Sequence, residues 1–262
     1  MTLFPNTRQS FPEFRPGEVW LIGAGPGDPH HLTMLACHAL QSADAVVYDA
    51  LVDKRVLELV RAGAETHFVG KRGGKPSTHQ RDINDTIIAL AKDGRRVARL
   101  KGGDQFVFGR GGEEAVALTR AGVPFRVVPG VTSGLAAPAL AGIPATMRET
   151  NHALILATGH CADENYARWE KLAQTGQPLI LYMALARLTE ISIALQRGGL
   201  GADTPVAIIS SAATEEERVL ETSLGAAAAD AEANGVKPPA IIVIGAIAAL
   251  RRTLTQGMAR GV

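Results

Sequence analysis

The sequence has few of the features that mark several common classes of protein. Only two of its 262 residues are cysteines, Cys37 and Cys161, and they lie far apart without CxxC spacing. They predict neither a disulfide framework nor a thiolate metal site. Aromatic residues make up 5% of the chain, which argues against platforms that stack nucleic-acid bases. The seven histidines show no ligand spacing, and we expect no bound metal.

An excess of charge of one sign and a long apolar segment are also missing. The chain carries 27 Lys and Arg against 26 Asp and Glu, a net charge of +1, which argues against nucleic acid held by bulk electrostatics. The longest uncharged run, Val127 to Met147, is interrupted by proline and glycine, so we expect no membrane span. Residues 1–17 lack the apolar stretch of a signal peptide, and we expect a flexible leader on a cytoplasmic protein.

Short β-branched runs alternate with helical patterns along the rest of the chain. This alternation predicts an α/β fold with largely parallel sheets. The predicted strands are Val19–Ile22, Ala45–Tyr48, Thr66–Val69, Val97–Leu100, Ala153–Ala157, Leu179–Met183, Val206–Ser210 and Ala240–Ile244. A stretch rich in proline and glycine separates two series of elements, and a short helix at Ser133–Ala137 is expected to stop near Pro138. The predicted boundary near Thr146 gives domains at residues 18–146 and 147–262.

The first glycine-rich turn, Gly23 to Pro29, follows an apolar strand directly. Glycine lets the backbone approach a ligand without an intervening Cβ. A dinucleotide fingerprint needs a third glycine where this chain has Asp28, and Pro26 stiffens the loop. The turn therefore indicates a nucleoside-like ligand held in another geometry, and a tight turn without a ligand is the alternative.

Two further turns have the same character. The stretch Leu100 to Glu114 contains five glycines within eleven positions and carries Asp104 at the end of a predicted strand. That carboxylate could accept a hydrogen bond from a ligand hydroxyl or ammonium group, or only cap a turn. The third turn, Val128 to Ser133, leads into a helix whose first backbone donors are free to bind a ligand. A plain helix cap explains this third pattern equally well.

The motifs GAGPGDP, YDALV, GKRGG, LKGGDQFVFGRGGEE, VPGVTS and LILYMAL, in this order, resemble the tetrapyrrole methylase family. The resemblance runs from about Gly17 to Leu250. It implies two α/β domains of the tetrapyrrole methylase type with the cofactor site between them, S-adenosyl-L-methionine as the cofactor, S-adenosyl-L-homocysteine as its product, and a homodimer. It also implies methylation of uroporphyrinogen III at C2 and C7, giving precorrin-2 by way of precorrin-1. That product leads to sirohaem, cobalamin or haem d1.

The resemblance also implies roles for individual residues. Asp49 matches a proton acceptor and Lys71 a proton donor, whereas Arg110, Glu113 and Arg148 match positions at the substrate. The expected cofactor contacts are Pro26, Gly102, Gly103, Asp104, Val107, Thr132, Ser133, Met183, Ala212, Ala240 and Ile242. Gln105 stands where the family usually has proline, and Ala212 where glycine is common.

A polycarboxylate substrate requires a locally basic site, and the residues that would supply it beside Arg110 and Arg148 are Lys71, Arg72 and Lys75. Taken alone, this basic loop also fits a solvated surface or contacts to phosphate or RNA. Other readings are a related methylase acting on another precorrin, on RNA ribose or on a protein side chain. A nicotinamide oxidoreductase and a noncatalytic module that senses the methyl donor are further alternatives.

Overall fold

The computed structural model describes residues 11–70, 79–160 and 167–258, and the chain separates into two compact units. One unit ends at Val131 and the other begins at Thr132, whereas the predicted boundary lies near Thr146. The structure divides the chain earlier because the helix Ser133–Leu140 packs against two strands of the second unit.

The first unit is built on a five-stranded sheet in which all strands are parallel. Its strands are β1 (Val19–Gly23), β2 (Ala45–Tyr48), β3 (Glu65–Phe68), β4 (Val97–Lys101) and β5 (Phe125–Val128), and its helices are α1 (Met34–Ser42), α2 (Lys54–Leu57), α3 (Gln80–Lys92) and α4 (Gly111–Arg120). The strand order is β3-β2-β4-β1-β5. A 3-10 turn at Pro29–His31 precedes α1.

Both faces of this sheet are buried, as expected for parallel strands with crossover helices. Trp20 and Ile22 of β1 face α1 and α2, whereas Val19 and Leu21 face α3 and α4. Because side chains alternate between the two faces of a strand, an apolar run such as Val19–Ile22 suits a central strand. Because both faces of the sheet are buried, polar groups are accommodated at the edge where the strands end.

The segment before β1 is packed on this unit over its described part. Phe14 is buried and stacks on Trp20 with ring centroids 4.5 Å apart, and Phe11 stacks on His38 at 4.7 Å. The expected flexible leader therefore does not extend through residues 11–17, because their aromatic side chains bury apolar surface against β1 and α1. Residues 1–10 lie outside the described residues.

The second unit contains a mixed sheet. Its strands are β6 (Ile155–Thr158), β7 (Leu179–Tyr182), β8 (Pro205–Ser210), β9 (Arg218–Ser223) and β10 (Ala240–Ile244). Its helices are α5 (Ser133–Leu140), α6 (Ala167–Ala173), α7 (Leu188–Arg197), α8 (Ala227–Ala233), α9 (Ala246–Ala249) and α10 (Arg251–Leu254), with a 3-10 turn at Leu185–Arg187. The order is β6-β7-β10-β8-β9.

The prediction of largely parallel strands is correct for the first sheet and wrong for the second. Among the strands of the described residues, β6 and β7 alone pair in parallel there, whereas β10 runs antiparallel to both of its neighbours and β9 antiparallel to β8. Strand periodicity reports which faces are buried but carries no information on direction. The strand β9 was not predicted, because Arg218 and Glu221 interrupt its apolar pattern at the edge of the sheet.

The helix α5 also runs further than predicted. Pro138 lies inside it rather than at its end. The proline removes one helical hydrogen bond, and the burial of Ala137 and Pro138 offsets this loss. In the second unit's main core, α6, α7 and α8 pack on β7, β8 and β10. No helix in the described ranges is both long and apolar enough to cross a membrane.

Candidate functional site

The glycine-rich turns of the first unit meet at one edge of its sheet. Because all five strands are parallel, the loops after β1, β4 and β5 leave the sheet on the same side. Gly25 and Gly103 exchange backbone hydrogen bonds, with N···O distances of 3.1 and 2.6 Å. The structure therefore joins the predicted turns into one backbone surface.

Gly23 and Gly130 allow this close approach. A Cβ added to Gly23 would lie 2.6 Å from both the Gly103 oxygen and the Gly130 nitrogen. A side chain at Gly23 or at Gly130 would meet rigid backbone atoms rather than a flexible group. The glycines are therefore needed for packing between the turns, in addition to any contact with a ligand.

Asp104 ties the second turn to the third. Its carboxylate accepts hydrogen bonds from the backbone N–H of Phe106 at 2.8 Å and of Gly130 at 3.0 Å. The adjacent Gln105 is fully buried and donates from Nε2 to the carbonyls of Leu21 and Val128 at 3.1 and 3.2 Å. Gln105, which replaces the usual proline, thus links the ends of β1 and β5 beneath this edge.

Arg110 and Glu113 form a bidentate ion pair at the start of α4. The guanidinium donates from Nε to Oε1 at 2.9 Å and from Nη2 to Oε2 at 2.6 Å. Both side chains are 55% exposed, so the pair is open to a ligand. The hydrogen bond from Arg110 lowers the pKa of Glu113 below its ordinary value.

Asp49 follows β2 at the same edge, with its side chain 25% exposed. Its Oδ1 accepts a hydrogen bond from the backbone N–H of Leu51 at 3.1 Å. Its Oδ2 lies 3.6 Å from Nη2 of Arg99, a buried residue of β4. The predicted proton acceptor therefore has one oxygen in a backbone hydrogen bond and the other within ion-pair distance of Arg99.

A buried ionic cluster behind Asp49 was not predicted. Glu114, which is 1% exposed, accepts at Oε1 from Arg99 Nε at 3.1 Å, Lys101 Nζ at 2.9 Å and Gln80 Nε2 at 3.2 Å. Burial, followed by repulsion from Arg99, lowers the pKa of Lys101. The signal in the sequence was two basic residues in a strand that is otherwise apolar, since buried charges require partners.

In the second unit, three of the expected cofactor positions lie at one edge of the sheet. Met183 follows β7 and Ala212 follows β8, whereas Ala240 opens the antiparallel strand β10. The register pairs Ala240 with Ser210, and Ile241 with Tyr182. These strand ends therefore lie side by side.

The start of α5 joins this edge through Tyr182. The tyrosine hydroxyl accepts a hydrogen bond from Gly134 N–H at 2.9 Å and lies 2.8 Å from Thr132 Oγ1. Gly134 leaves the space for this contact, because an added Cβ would overlap the tyrosine ring and hydroxyl. Thr132 and Ser133 are half-buried and are held beside the end of β7.

Several residues around both sheet edges adopt left-handed backbone conformations that only glycine adopts without strain. The φ angles are 54° at Phe108, 60° at Arg110, 51° at Met183, 49° at Ser211 and 61° at Ala213. Such conformations cost about 1–3 kcal/mol each and concentrate at functional sites. Met183 is 53% exposed although Tyr182 and Ala184 on either side are buried.

The remaining predicted residues have different outcomes. Ile242 is fully buried in the core, and its strand pairs on both sides, so it offers no atom to a ligand and its expected cofactor contact is not supported. Arg148 is exposed in a segment fastened by Asn151, whose side chain bonds to the backbone of Ala145, Met147 and Ala153. The expected site residues Lys71, Arg72 and Lys75 lie outside the described residues.

Comparison with known proteins assigns the chain to a family. The profile named Tetrapyrrole (Corrin/Porphyrin) Methylases matches residues 18–228. The protein therefore belongs to the tetrapyrrole methylases, which confirms the resemblance drawn from its motifs and the predicted fold class.

Individual relatives narrow the comparison. The chain is 50% identical to a uroporphyrinogen-III C-methyltransferase of Sinorhizobium over 246 residues, covering 93% of this chain and 88% of the relative. It is 48% identical to a siroheme synthase of Actinobacillus pleuropneumoniae, covering 91% of this chain and 49% of that protein, so it spans about half the length of this longer relative.

Solved structures show the same fold. A Thermus thermophilus uroporphyrin-III C-methyl transferase complexed with S-adenyl homocysteine matches with a TM-score of 0.74 and 35% identity, over 88% of this chain and 92% of that one. The cobalt precorrin-4 methyltransferase CbiF matches with a TM-score of 0.80 and 27% identity, over 88% and 96% of the two chains.

Proposed function

We propose that the protein transfers methyl groups from S-adenosyl-L-methionine to C2 and C7 of uroporphyrinogen III, giving precorrin-2 by way of precorrin-1. The observation that supports this most directly is the set of charged groups at the carboxyl edge of the first sheet. An anchored carboxylate, Asp49, and an exposed cation, Arg110, both belong to loops at this edge. The relatives above, named for the same reaction, support the choice of substrate.

The residues at the two sheet edges are chemically suited to S-adenosyl-L-methionine. Asp104 retains acceptor capacity beyond its two backbone bonds, because a carboxylate has about four acceptor positions. Ala212 and Ala240 are small and half-buried, which leaves backbone groups within reach of an adenosine. Met183 presents a soft apolar side chain. When bound, the cofactor supplies an electrophilic methyl group, and Pro26, Gly102, Gly103, Val107, Thr132 and Ser133 complete the proposed contacts.

The protein's own chemical task is to orient the substrate and to remove a proton. A pyrrole carbon that accepts a methyl cation leaves the macrocycle with one positive charge, and loss of one proton restores neutrality. We assign to Asp49 the stabilisation of that charge and the acceptance of the proton. Arg110 and Arg148 would pair with substrate carboxylates, and Glu113 would hold the Arg110 fork in its orientation.

Several parts of the proposal rest on the family alone. Lys71 is proposed as proton donor, with Arg72 and Lys75 as further contacts to substrate carboxylates. We also propose a homodimer in the cytoplasm whose product enters sirohaem, cobalamin or haem d1 synthesis. The similarity to siroheme synthases favours the first of these routes.

An anaerobic assay with uroporphyrinogen III and S-adenosyl-L-methionine tests the proposed reaction. We expect mass spectrometry to show a tetrapyrrole that carries two added methyl groups, and its oxidised form to absorb and fluoresce as an isobacteriochlorin. The matched control is the reaction with S-adenosyl-L-homocysteine in place of the methyl donor.

The structural likeness to CbiF makes a methylase of another precorrin the second candidate. Assays with precorrin-2 and with cobalt-precorrin-4 as the methyl acceptor separate the two. Methylation of either one, without methylation of uroporphyrinogen III, would replace the proposed function by this second one.

A further inference from the structure

The buried cluster of Arg99 and Glu114 connects helix α4 to the loop that carries Asp49. The proposed reaction does not itself require this connection. Arg99 lies in β4 and Glu114 in α4, and their side chains are 2% and 1% exposed. Asp49 follows β2 and reaches the surface. Charged side chains therefore connect α4, by way of the central strand β4, to the proposed proton acceptor.

Each nitrogen of the Arg99 guanidinium has a defined partner. Nε donates to Glu114 at 3.1 Å, and Nη1 donates to the carbonyls of Val47 and Leu100 at 3.3 and 3.2 Å. Nη2 faces Asp49 at 3.6 Å. With its other nitrogens held in this way, the guanidinium is a rigid support for the Asp49 carboxylate.

Neutralising Glu114 does not by itself require Arg99. Lys101 already donates to the same Glu114 oxygen at 2.9 Å, and Asp49 at 25% exposure can be hydrated. The arginine nevertheless occupies a central strand, where a buried cation carries a desolvation cost. The contribution of the Arg99 guanidinium is to connect the carboxylates of Glu114 and Asp49.

We propose that Arg99, oriented by Glu114, is a positioning residue that fixes the direction of the Asp49 carboxylate toward the substrate. This inference deepens the proposed function and rests on it, because it takes Asp49 as the proton acceptor. Leu51 N–H holds one oxygen of the carboxylate and Arg99 faces the other, so the plane of the group is defined. Displacement of a catalytic group by about 1 Å can lower a rate about 100-fold.

The test is Arg99→Lys. Lysine keeps the positive charge beside Glu114, but its single nitrogen cannot contact all of the partners that the arginine has. We expect kcat to fall about 10- to 100-fold, with the KM values for both substrates unchanged. The matched control is Arg96→Lys, which changes another arginine–aspartate pair immediately before β4. Arg96 Nε and Nη2 each lie 2.8 Å from an oxygen of Asp44. This variant should leave kcat as in the wild type.

A double-mutant cycle with Asp49→Asn distinguishes positioning from a general effect on folding. If Arg99 acts through Asp49, the fall in kcat caused by Arg99→Lys disappears in the Asp49→Asn background. An equal fall in both backgrounds, unchanged kcat in Arg99→Lys, or full turnover by Asp49→Asn would each overturn the proposal. If Arg99→Lys does not fold, Glu114→Gln is expected to give a smaller fall with the same dependence on Asp49.

A second readout does not depend on turnover. The backbone amide of Leu51 donates to Asp49 Oδ1, so its NMR chemical shift reports the orientation of the carboxylate. We expect this resonance to move in Arg99→Lys and to stay in place in Arg96→Lys. An unmoved Leu51 amide in Arg99→Lys would contradict positioning, whereas absence of methyl transfer by the wild type would overturn the proposed function and leave this measurement valid.

Discussion

The pair formed by Arg110 and Glu113 shows how one residue's backbone conformation can set up a binding group. Arg110 has a left-handed φ of 60° immediately before α4, so the chain turns sharply and the side chain lies over the first turn of the helix. The carboxylate of Glu113 engages the guanidinium through two hydrogen bonds. An exposed arginine held this way loses less rotamer entropy when it binds a substrate carboxylate than a free one would.

Arg110→Ala is expected to abolish methyl transfer while leaving affinity for S-adenosyl-L-homocysteine within a few-fold of the wild type. The side chain is 55% exposed and contributes little to the core. Without this side chain, the pKa of Glu113 returns toward its ordinary 4.5, and the carboxylate is still ionised at neutral pH. The substitution therefore removes one cation and leaves the charge of Glu113 unchanged.

Turnover assays and calorimetric titration measure the two effects of Arg110→Ala. Arg120→Ala, at the exposed C-terminal end of the same helix, is the matched control and should change neither. Parallel loss of turnover and of cofactor affinity in Arg110→Ala would instead assign Arg110 to folding of the loop.

At the scale of elements, the edge of the first sheet depends on contacts between loops as much as on the strands. The turns after β1, β4 and β5 meet at Gly23, Gly103 and Gly130. Asp104 adds a side-chain bond between the second and third turns. Displacement of one turn would therefore displace the others, together with the groups that they carry.

Gly130→Ala is expected to destabilise the protein by about 1–3 kcal/mol, the usual cost of forcing extra atoms into a packed region. The new Cβ would lie 2.6 Å from the Gly23 Cα and would overlap the Gly103 carbonyl oxygen. Both are backbone atoms, which cannot move aside as a flexible side chain would. Affinity for S-adenosyl-L-homocysteine should also fall, because the joined turns separate. Urea unfolding and calorimetry measure these quantities.

Gly112→Ala is the control for that substitution. Nothing lies within 4 Å of a Cβ added there, and the residue is in α4, where alanine is favoured over glycine by about 0.5–1 kcal/mol. Its free energy of unfolding should rise or stay constant. Equal stability of the Gly130→Ala and Gly112→Ala variants would refute the packing role of Gly130.

The parts of the fold and site that sequence reasoning could predict are those governed by local pattern. The bounds of β2 and β10 were predicted as the structure has them, and the glycine turns were recognised, because strand runs and turn residues lie within a few positions of each other. Asp49 was found only through the family motif. The cluster of Arg99 and Glu114 was missed because its partners meet through sheet register and helix packing.

At the scale of the whole molecule, the balance of charge bears on how a polycarboxylate could be recognised. The net charge is +1, so no broad positive field is available to attract the proposed substrate. We infer that recognition of the proposed substrate relies on short-range pairs with individual cations such as Arg110 and Arg148. Such pairs are specific in geometry, and exposed ones weaken as salt screens them.

We therefore expect a moderate and selective dependence of activity on salt. Raising the ionic strength from about 0.1 M to about 1 M shortens the screening length from about 10 Å to about 3 Å. The KM for uroporphyrinogen III should rise several-fold, while kcat and the KM for S-adenosyl-L-methionine stay constant. Arg148→Gln should reduce this dependence because it removes one exposed cation, whereas Arg197→Gln, exposed at the end of α7, should not. A parallel rise in both KM values would contradict recognition of the substrate by individual charge pairs.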